Sequence, residues 1–469
     1  MGLSAAMEIG KNGLNVYRVA QEVTSENIAN VNTDGYSRQR VILQSAPPTT
    51  ANGFPLGTGV RIASIERYYD GLLQQQLVNA QTTQGYDTTK STVLQQIEPT
   101  FNEVATDGLG AAVSSYFGAW QDLTLNPAGS AERQAVLSRA QILTDNFHSV
   151  SKALTDTISI QNSTLKPLTD NINAKLNNIA QLNGQIRTTE LVSGNANELR
   201  DQRDQLVRDL SKQIGITYTE NSDGTTDINY ADGGAALVSG STAGSFSLTT
   251  DGSVLSDGVT LKNIVNVTPA GSTTAAAVTP TTGQLGAVMY LRDDTTGGIP
   301  SYLAQVNELA KTIIDEVNTV HLAGFQQDGV TAGANFFTGT TAADMAVNLT
   351  TTTQIAASGV SGLTGDNSNA LKLAQLQNKL TMSGGTTTFN SYFSSLVSKV
   401  GLDVQSIKNT ESQDIAFTKQ LTTLRESNSG VSLDEELTNL IKYQRSYQAC
   451  AKLITTATEM LDTVINLVR

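Results

Sequence analysis

The sequence predicts an α+β multidomain chain: terminal helices that meet as a coiled coil, an elongated helical-bundle domain, and an inserted all-β outer domain in the middle. Three observations carry this. From Leu433, the positions Leu437, Leu440, Gln444, Tyr447, Ala451, Ile454, Thr458, Leu461, Ile465 and Val468 follow at alternating steps of four and three, the spacing of a coiled-coil seam. The first thirty residues carry two adjacent stripes, Leu3, Met7, Gly10, Leu14, Tyr17, Thr24, Ile28 and Ala6, Ile9, Gly13, Val16, Ala20, Val23, the pattern of a helix with neighbours on two sides. From Gly215 the composition turns to Thr, Ser, Gly and Val, with short alternating runs and Asp-Gly pairs at 223–224, 251–252 and 257–258 that read as hairpin turns.

The N-terminal helix stops at Asn30-Val31-Asn32-Thr33-Asp34-Gly35, where Asn, Asp and Gly supply turn chemistry. Extended pieces follow at 35–43 and 57–62, and the turn-rich loop between them lets them pair. Helical patterns occupy 68–101, 108–123 and 130–186, with Pro167 expected to kink or break the last. Beyond the β stretch, helix returns at 301–322, a hairpin-type segment spans 325–358, and helices cover 369–380 and 389–425. Ser432 opens the terminal helix, with Glu435 placed to reach back in a capping box. That helix is roughly 55 Å long at 1.5 Å per residue, too long for one small core to hide. The expected division is 1–45 for the first part of the coiled-coil domain, 46–214, 285–324 and 359–428 for the helical domain, 215–284 for the β insert, 325–358 for the hairpin segment, and 429–469 for the C-terminal helix.

Composition narrows the function. The 469 residues carry a net charge of −13, with 5% aromatic and 16% charged residues. An acidic chain without basic runs is a poor phosphate binder, so nucleic acid is not an expected partner. No apolar run reaches the length of a membrane span, so neither is a membrane, and the start shows no cleavable-signal pattern. The single Cys450 flanks the C-terminal seam and has no partner for a disulfide within the chain. His148 and His321 stand apart and outside a His-Glu-x-x-His arrangement. Asn221, Asp223 and Gly224 match part of a calcium loop, but Thr219 and Tyr230 stand where acidic ligands belong. No catalytic, cofactor or metal site is expected, and the chain does not read as an enzyme.

The residues Ser25-Glu26-Asn27-Ile28-Ala29-Asn30-Val31-Asn32-Thr33-Asp34-Gly35-Tyr36 resemble the N-terminal signature shared by bacterial flagellar rod, hook and hook-associated proteins. Asn27, Asn30, Thr33, Gly35 and Tyr36 carry the match; Glu26 and Asp34 stand where the usual form has Asn and often Pro. Gly35 is suited to the left-handed conformation that ends a helix, and Tyr36 to folding back on it. The continuation Ser37-Arg38-Gln39, the stretches Leu182–Ile186 and Asn195–Leu206, and the C-terminal Ser429–Leu437 with Tyr443–Ala449 are similar to the hook–filament junction family of hook-associated proteins, the FlgK family. Arg200, Asp201, Arg203 and Asp204 interleave in a way that usually marks a solvated helix face.

The resemblance implies a structural component of the flagellum that joins hook to filament, exported by the flagellar type III system. Its implied partners are other copies of itself in a ring, hook protein on one side, a second junction protein or filament protein on the other, and a cytoplasmic export chaperone on the C-terminal helix. The expected assembly interface is Leu3, Met7, Leu14, Tyr17 and Ile28 with Leu433, Leu437, Leu440, Tyr447, Ile454, Leu461, Ile465 and Val468. Its apolar stripes gain their partners only on assembly, so the ends are expected to be largely disordered before it. The alternatives are another axial protein of hook or filament type, or a secreted adhesin whose β insert binds a ligand.

Overall fold

The computed structural model describes residues 2–51, 54–102 and 108–467. Helix α1 (Gly2–Ala29) leads into a β finger: β1 (Gln39–Ser45) pairs antiparallel with β4 (Val60–Arg67), and β2 (Thr49–Ala51) with β3 (Phe54–Leu56) nearer the tip. The β1–β4 pairing thus crosses the boundary expected at residue 45. The finger lies back along α1. Asn12 Nδ2 donates to the Thr58 carbonyl at 3.1 Å, and Gly59, at φ 99°, sits so near Ile9 that a Cβ would stand 3.3 Å from its Cα. One of the two neighbours that the stripes of α1 demand is therefore the chain's own finger.

Helices α2 (Gly71–Ile97), α3 (Leu109–Leu125), α4 (Ser130–Ser193), α5 (Asn197–Ser211), α6 (Gly283–Asp293), α7 (Ile299–Leu322), α8 (Ser368–Gln375) and α9 (Phe389–Ser429) build the body, and α10 (Leu433–Leu467) ends it. Asp70 starts α2 by accepting from the Leu72 and Leu73 amides, as an N-cap should. Helix α4 runs through Pro167 without a break, where a kink or a break was expected. Pro167 and Ser163, whose carbonyl loses its partner, are both exposed, so water can take that bond. Helix α6 begins inside the stretch read as β; its eleven residues are nearly all buried, which erases the polar face that would have marked a helix.

The body has two apolar cores. The distal one gathers α3, α7, α8, the first half of α4 and the start of α9 around Tyr116, Phe117 and Trp120. Phe336 and Phe337, from the hairpin-type segment, plug it with ring centroids 5.5–5.8 Å from Tyr116. Phe117 stacks on Phe389 at 5.6 Å. His321 closes its edge, Nδ1 donating to the Ala334 carbonyl at 2.5 Å and Nε2 accepting from the Ala356 amide at 2.9 Å. Burial pushes its pKa down to about 4. The neutral ring's contribution to stability is therefore lost as pH falls from the ordinary histidine value through 4.

The second core belongs to the β stretch and to helices together. Strands β5 (Ile216–Glu220), β6 (Thr226–Tyr230), β7 (Ala236–Ser239) and β8 (Thr242–Ala243) form one antiparallel sheet in that order; β9 (Ser245–Thr249), β10 (Ile264–Thr268) and β11 (Ala276–Ala277) form another, with β10 central. Ile228, Val238, Phe246 and Val265 from these sheets pack on Leu165, Ile172 and Leu176 of α4, Leu210 of α5 and Leu285 of α6. Gly224, Gly252 and Gly258 take φ of 81°, 86° and 70°, the left-handed turns that the Asp-Gly pairs announced. Back toward the termini, α2 and α9 lie against each other as a two-helix stem, where Leu73, Leu77 and Ala80 meet Leu421.

Candidate assembly interface

Helix α10 lies antiparallel on α1. Asn27 faces Glu436, Tyr17 faces Tyr443 with ring centroids 6.3 Å apart, and Gly13 faces Cys450. A Cβ on Gly10 would stand 2.7 Å from Ile454 Cγ1, and one on Gly13 2.6 Å from Cys450 Sγ. The two glycines therefore set how near the helices approach, and Cys450 fills the seam rather than flanking it. Gly10, Gly13, Val16, Ala20, Val23, Thr24 and Asn27 are buried.

The face of α10 that meets α1 coincides only in part with the expected stripe: Ile454 of that stripe stands over Gly10, and Cys450 beside it stands over Gly13. Among the described residues of α10, Glu436, which bonds Asn27, and Ala457 are buried. Leu440, Ile454 and Leu461 are half-buried, as are Leu3, Met7, Leu14, Tyr17 and Ile28 on α1. Leu433, Leu437, Tyr447 and Ile465 remain 45%, 49%, 38% and 58% exposed. Val468 lies outside the described residues. Ile441 continues the exposed line from Leu433 and Leu437 at steps of four, and Leu453, Met460 and Val464 form another exposed group on α10. A helix apolar on more sides than it has neighbours is built for further neighbours.

Beneath this pair lies a buried polar clamp. Asn27 is 1% exposed and uses its whole amide: Nδ2 donates to the Gln39 carbonyl and Glu436 Oε2, and Oδ1 accepts from Tyr36 Oη and the Gln39 amide, all at 2.9 Å. Tyr36 folds back as expected, and Gly35 turns at φ 84° while its carbonyl accepts from Arg425 Nη2 at 2.6 Å. Burial, with Glu26 beside it, raises the Tyr36 phenol well above its ordinary range. Asn30 and Thr33 stay local, Thr33 Oγ1 donating to Asn30 Oδ1 at 3.1 Å.

Arg38 joins the start of α10. Its guanidinium holds Glu436 Oε1 and Glu435 Oε2 at 2.7 and 2.6 Å, so Glu435, expected to cap its own helix, bonds across to the N-terminal segment. Ser37 donates its amide and hydroxyl to Asp201 at 2.7 and 2.8 Å, and Arg67 bridges Asp201 and Asp204 at 2.7 and 2.8 Å. Burial works against the Arg67 charge, but Asp204 and Asp201 more than offset it and hold its pKa above normal. The interleaved charges of α5 are thus not a solvated face: Asp201, Arg203, Asp204 and Arg208 are all buried. Burial and the nearby Arg425 push Arg208 down to about 10, still cationic at neutral pH.

The clamp binds both ends of the chain, the finger and α5 into one joint. Arg38 and Arg67 are paired with carboxylates, and Arg208 is held by the neutral Gln74 and Gln205 side-chain oxygens, which is what makes burial of so many charges tolerable. Chemically it offers rigidity; the exposed apolar faces of α10 beside it offer attachment.

Comparison with known proteins gives this geometry a context. Residues 94–337, more than half of the chain, match the model of the flagellar hook-associated protein FlgK helical domain. Residues 7–36 match the flagella basal body rod protein family, and 425–467 the C-terminal family of the flagellar basal body rod FlgEFG proteins, so both ends of the clamp fall within rod-type segments. Flagellar hook-associated protein 1 of Bacillus subtilis is 29% identical over 98% of this chain and 97% of its own length. The protein of that name from Salmonella typhimurium is 28% identical over 99% and 100%, and that from Escherichia coli 27% over the same shares. The fold is similar to that of the flagellar hook junction protein FlgK from Burkholderia pseudomallei, with a TM-score of 0.68, 17% identity, and cover of 76% of this chain and all of that one.

Proposed function

This chain belongs to the FlgK family of flagellar hook-associated proteins, and from that premise we propose that it is the structural adaptor between hook and filament, attached through its terminal helices. The observation that carries the reading is α10: paired with α1 on one side, it leaves Leu433, Leu437, Ile441, Tyr447 and Ile465 uncovered. Neighbouring copies of the same chain, arranged as a ring, would cover them. Covering the remaining exposed half of each leucine or isoleucine there contributes about 0.7–1.5 kcal/mol, a gain available only in the assembly.

In this reading α1, α10 and the finger form the inner layer, the clamp fixes them to the stem, and the two cores of the body face outward. Hook protein lies on one side and a second junction protein or filament protein on the other. An export chaperone covers the apolar α10 before the chain leaves the cell by the flagellar type III route. Function is structural and needs no catalytic group, cofactor or metal. The proposal is tested in a strain lacking this chain. Hooks should complete while filament protein accumulates in the medium, and filaments of normal length would contradict it.

A further inference from the structure

The stem of α2 and α9 joins the clamp to the distal core, and its apolar residues lie at its two ends: Leu73, Leu77, Ala80 and Leu421 nearer the clamp, and Val93, Leu94 and Ile97 of α2 with Val404 and Ile407 of α9 in the distal core. Farther along, the seam turns polar. Asp87 of α2 is only 8% exposed, its carboxyl within hydrogen-bonding reach of Asp414 of α9. Asp414 Oδ2 is sealed from solvent with no donor, as are Gln81 Oε1 and Thr418 Oγ1.

The charged surroundings do not relieve the two acids. Glu411 of α9 adds repulsion, and Lys90 of α2 opposes it, but the Lys90 ammonium lies over the Tyr290 ring of α6 at 4.4 Å. Tyr86 of α2 packs toward the same Tyr290. On the α5 side, Gly85 abuts the backbone carbonyl of Lys212, whose ammonium pairs with Asp209 at 3.8 Å. Helix α2 is therefore pinned to the body along this stretch, while α9 is held at its two ends, by Phe389 and Val404 in the distal core and by Leu421 and Arg425 near the clamp. The polar stretch between them is where the seam can loosen.

Two buried carboxylates in contact repel when both are ionised, whereas one proton between them turns repulsion into a hydrogen bond. We propose that Asp87 and Asp414 share a proton across the α2–α9 seam, and that losing it loosens the stem between the terminal helices and the distal core. Burial first, then the bond to Asp414, raises Asp87 to about 6. An unfolded aspartate titrates near 4, so the closed seam is favoured at acid pH. That advantage is lost as pH rises through about 6. His321 acts in the opposite sense and in the distal core, away from these residues.

The test is amide hydrogen exchange on the full chain at pH 5 and pH 7, corrected for intrinsic rates, in the segments 81–91 and 411–418. Protection should be about tenfold greater at pH 5. Asp87→Asn should abolish the difference, because its amide donates to the Asp414 carboxylate without a titrating proton; Asp414→Asn should do the same from the other side. Equal protection at both pH values in the unaltered chain, or a difference that survives in both variants, overturns the proposal.

Discussion

A chain carrying Leu437→Asp and Ile441→Asp should fold as the unaltered one does, yet fail to hold filaments, so that filament protein is shed into the medium. The two side chains are 49% and 60% exposed, and surface changes of this kind usually move stability by less than about 0.5 kcal/mol. In the assembly proposed above, the same positions would be withdrawn from water. The two side chains are already half covered, so losing both forfeits about 1.5–3 kcal/mol per subunit, and two unpaired carboxylates in that place add a desolvation cost. The choice of positions matters. Leu440 and Leu461 share the heptad line but are half-buried, so aspartates there would disturb folding and assembly together. Thermal unfolding and a motility assay on the 437/441 variant separate the two; normal filaments would remove this face from the interface.

Asn27→Leu should cost about 3–5 kcal/mol, among the largest losses that a single side chain can cause in this molecule. The substitution keeps the volume but takes one partner each from the Gln39 amide and carbonyl, the Tyr36 hydroxyl and Glu436. Buried polar groups left unpaired cost about 1–3 kcal/mol each, more where one is charged. Arg38 still holds Glu436, which keeps the loss below the sum. The effect should appear in urea unfolding and as faster hydrogen exchange over 24–40 and 433–440. Arg40→Ala is the control. Its pair with Glu66 is 3.7 Å long and half-exposed, and such pairs contribute about 0–1 kcal/mol. Equal losses from the two variants would show that the clamp is not what fastens the ends.

The terminal helices, the helix stop at Gly35 and the Asp-Gly turns were legible because each rests on neighbouring residues. The clamp was not. Arg38 and Glu436 are 398 positions apart and Ser37 and Asp201 164, and periodicity within one helix cannot reveal that an arginine from a distant strand neutralises its acids. Helix α5 looked solvated for that reason. The heptad line of α10 was real, but spacing alone does not say which of its apolar faces meets α1. Gly10 and Gly13 held the missing signal. Glycine weakens a helix interior, so two of them three residues apart imply a helix that must come very close. Helix α6 falls almost wholly in the stretch 285–324 assigned to the helical domain, but was not named as a helix because burial on nearly every side leaves no alternation to read.

The dependence of the terminal helices on neighbouring subunits is tested most directly by limited tryptic digestion, mapped by mass spectrometry, of dilute monomer beside assembled hook–filament structures. Lys11, Arg18, Lys442, Arg445 and Lys452 are exposed on α1 and α10, whereas Arg133, Arg203 and Arg292 are buried in the body. Faster cleavage at the first five in the monomer than in the assembly, around a body resistant in both, is the predicted result. Protection in the monomer as complete as in the assembly would mean that α1, α10 and the finger already satisfy one another, and would contradict attachment through these helices.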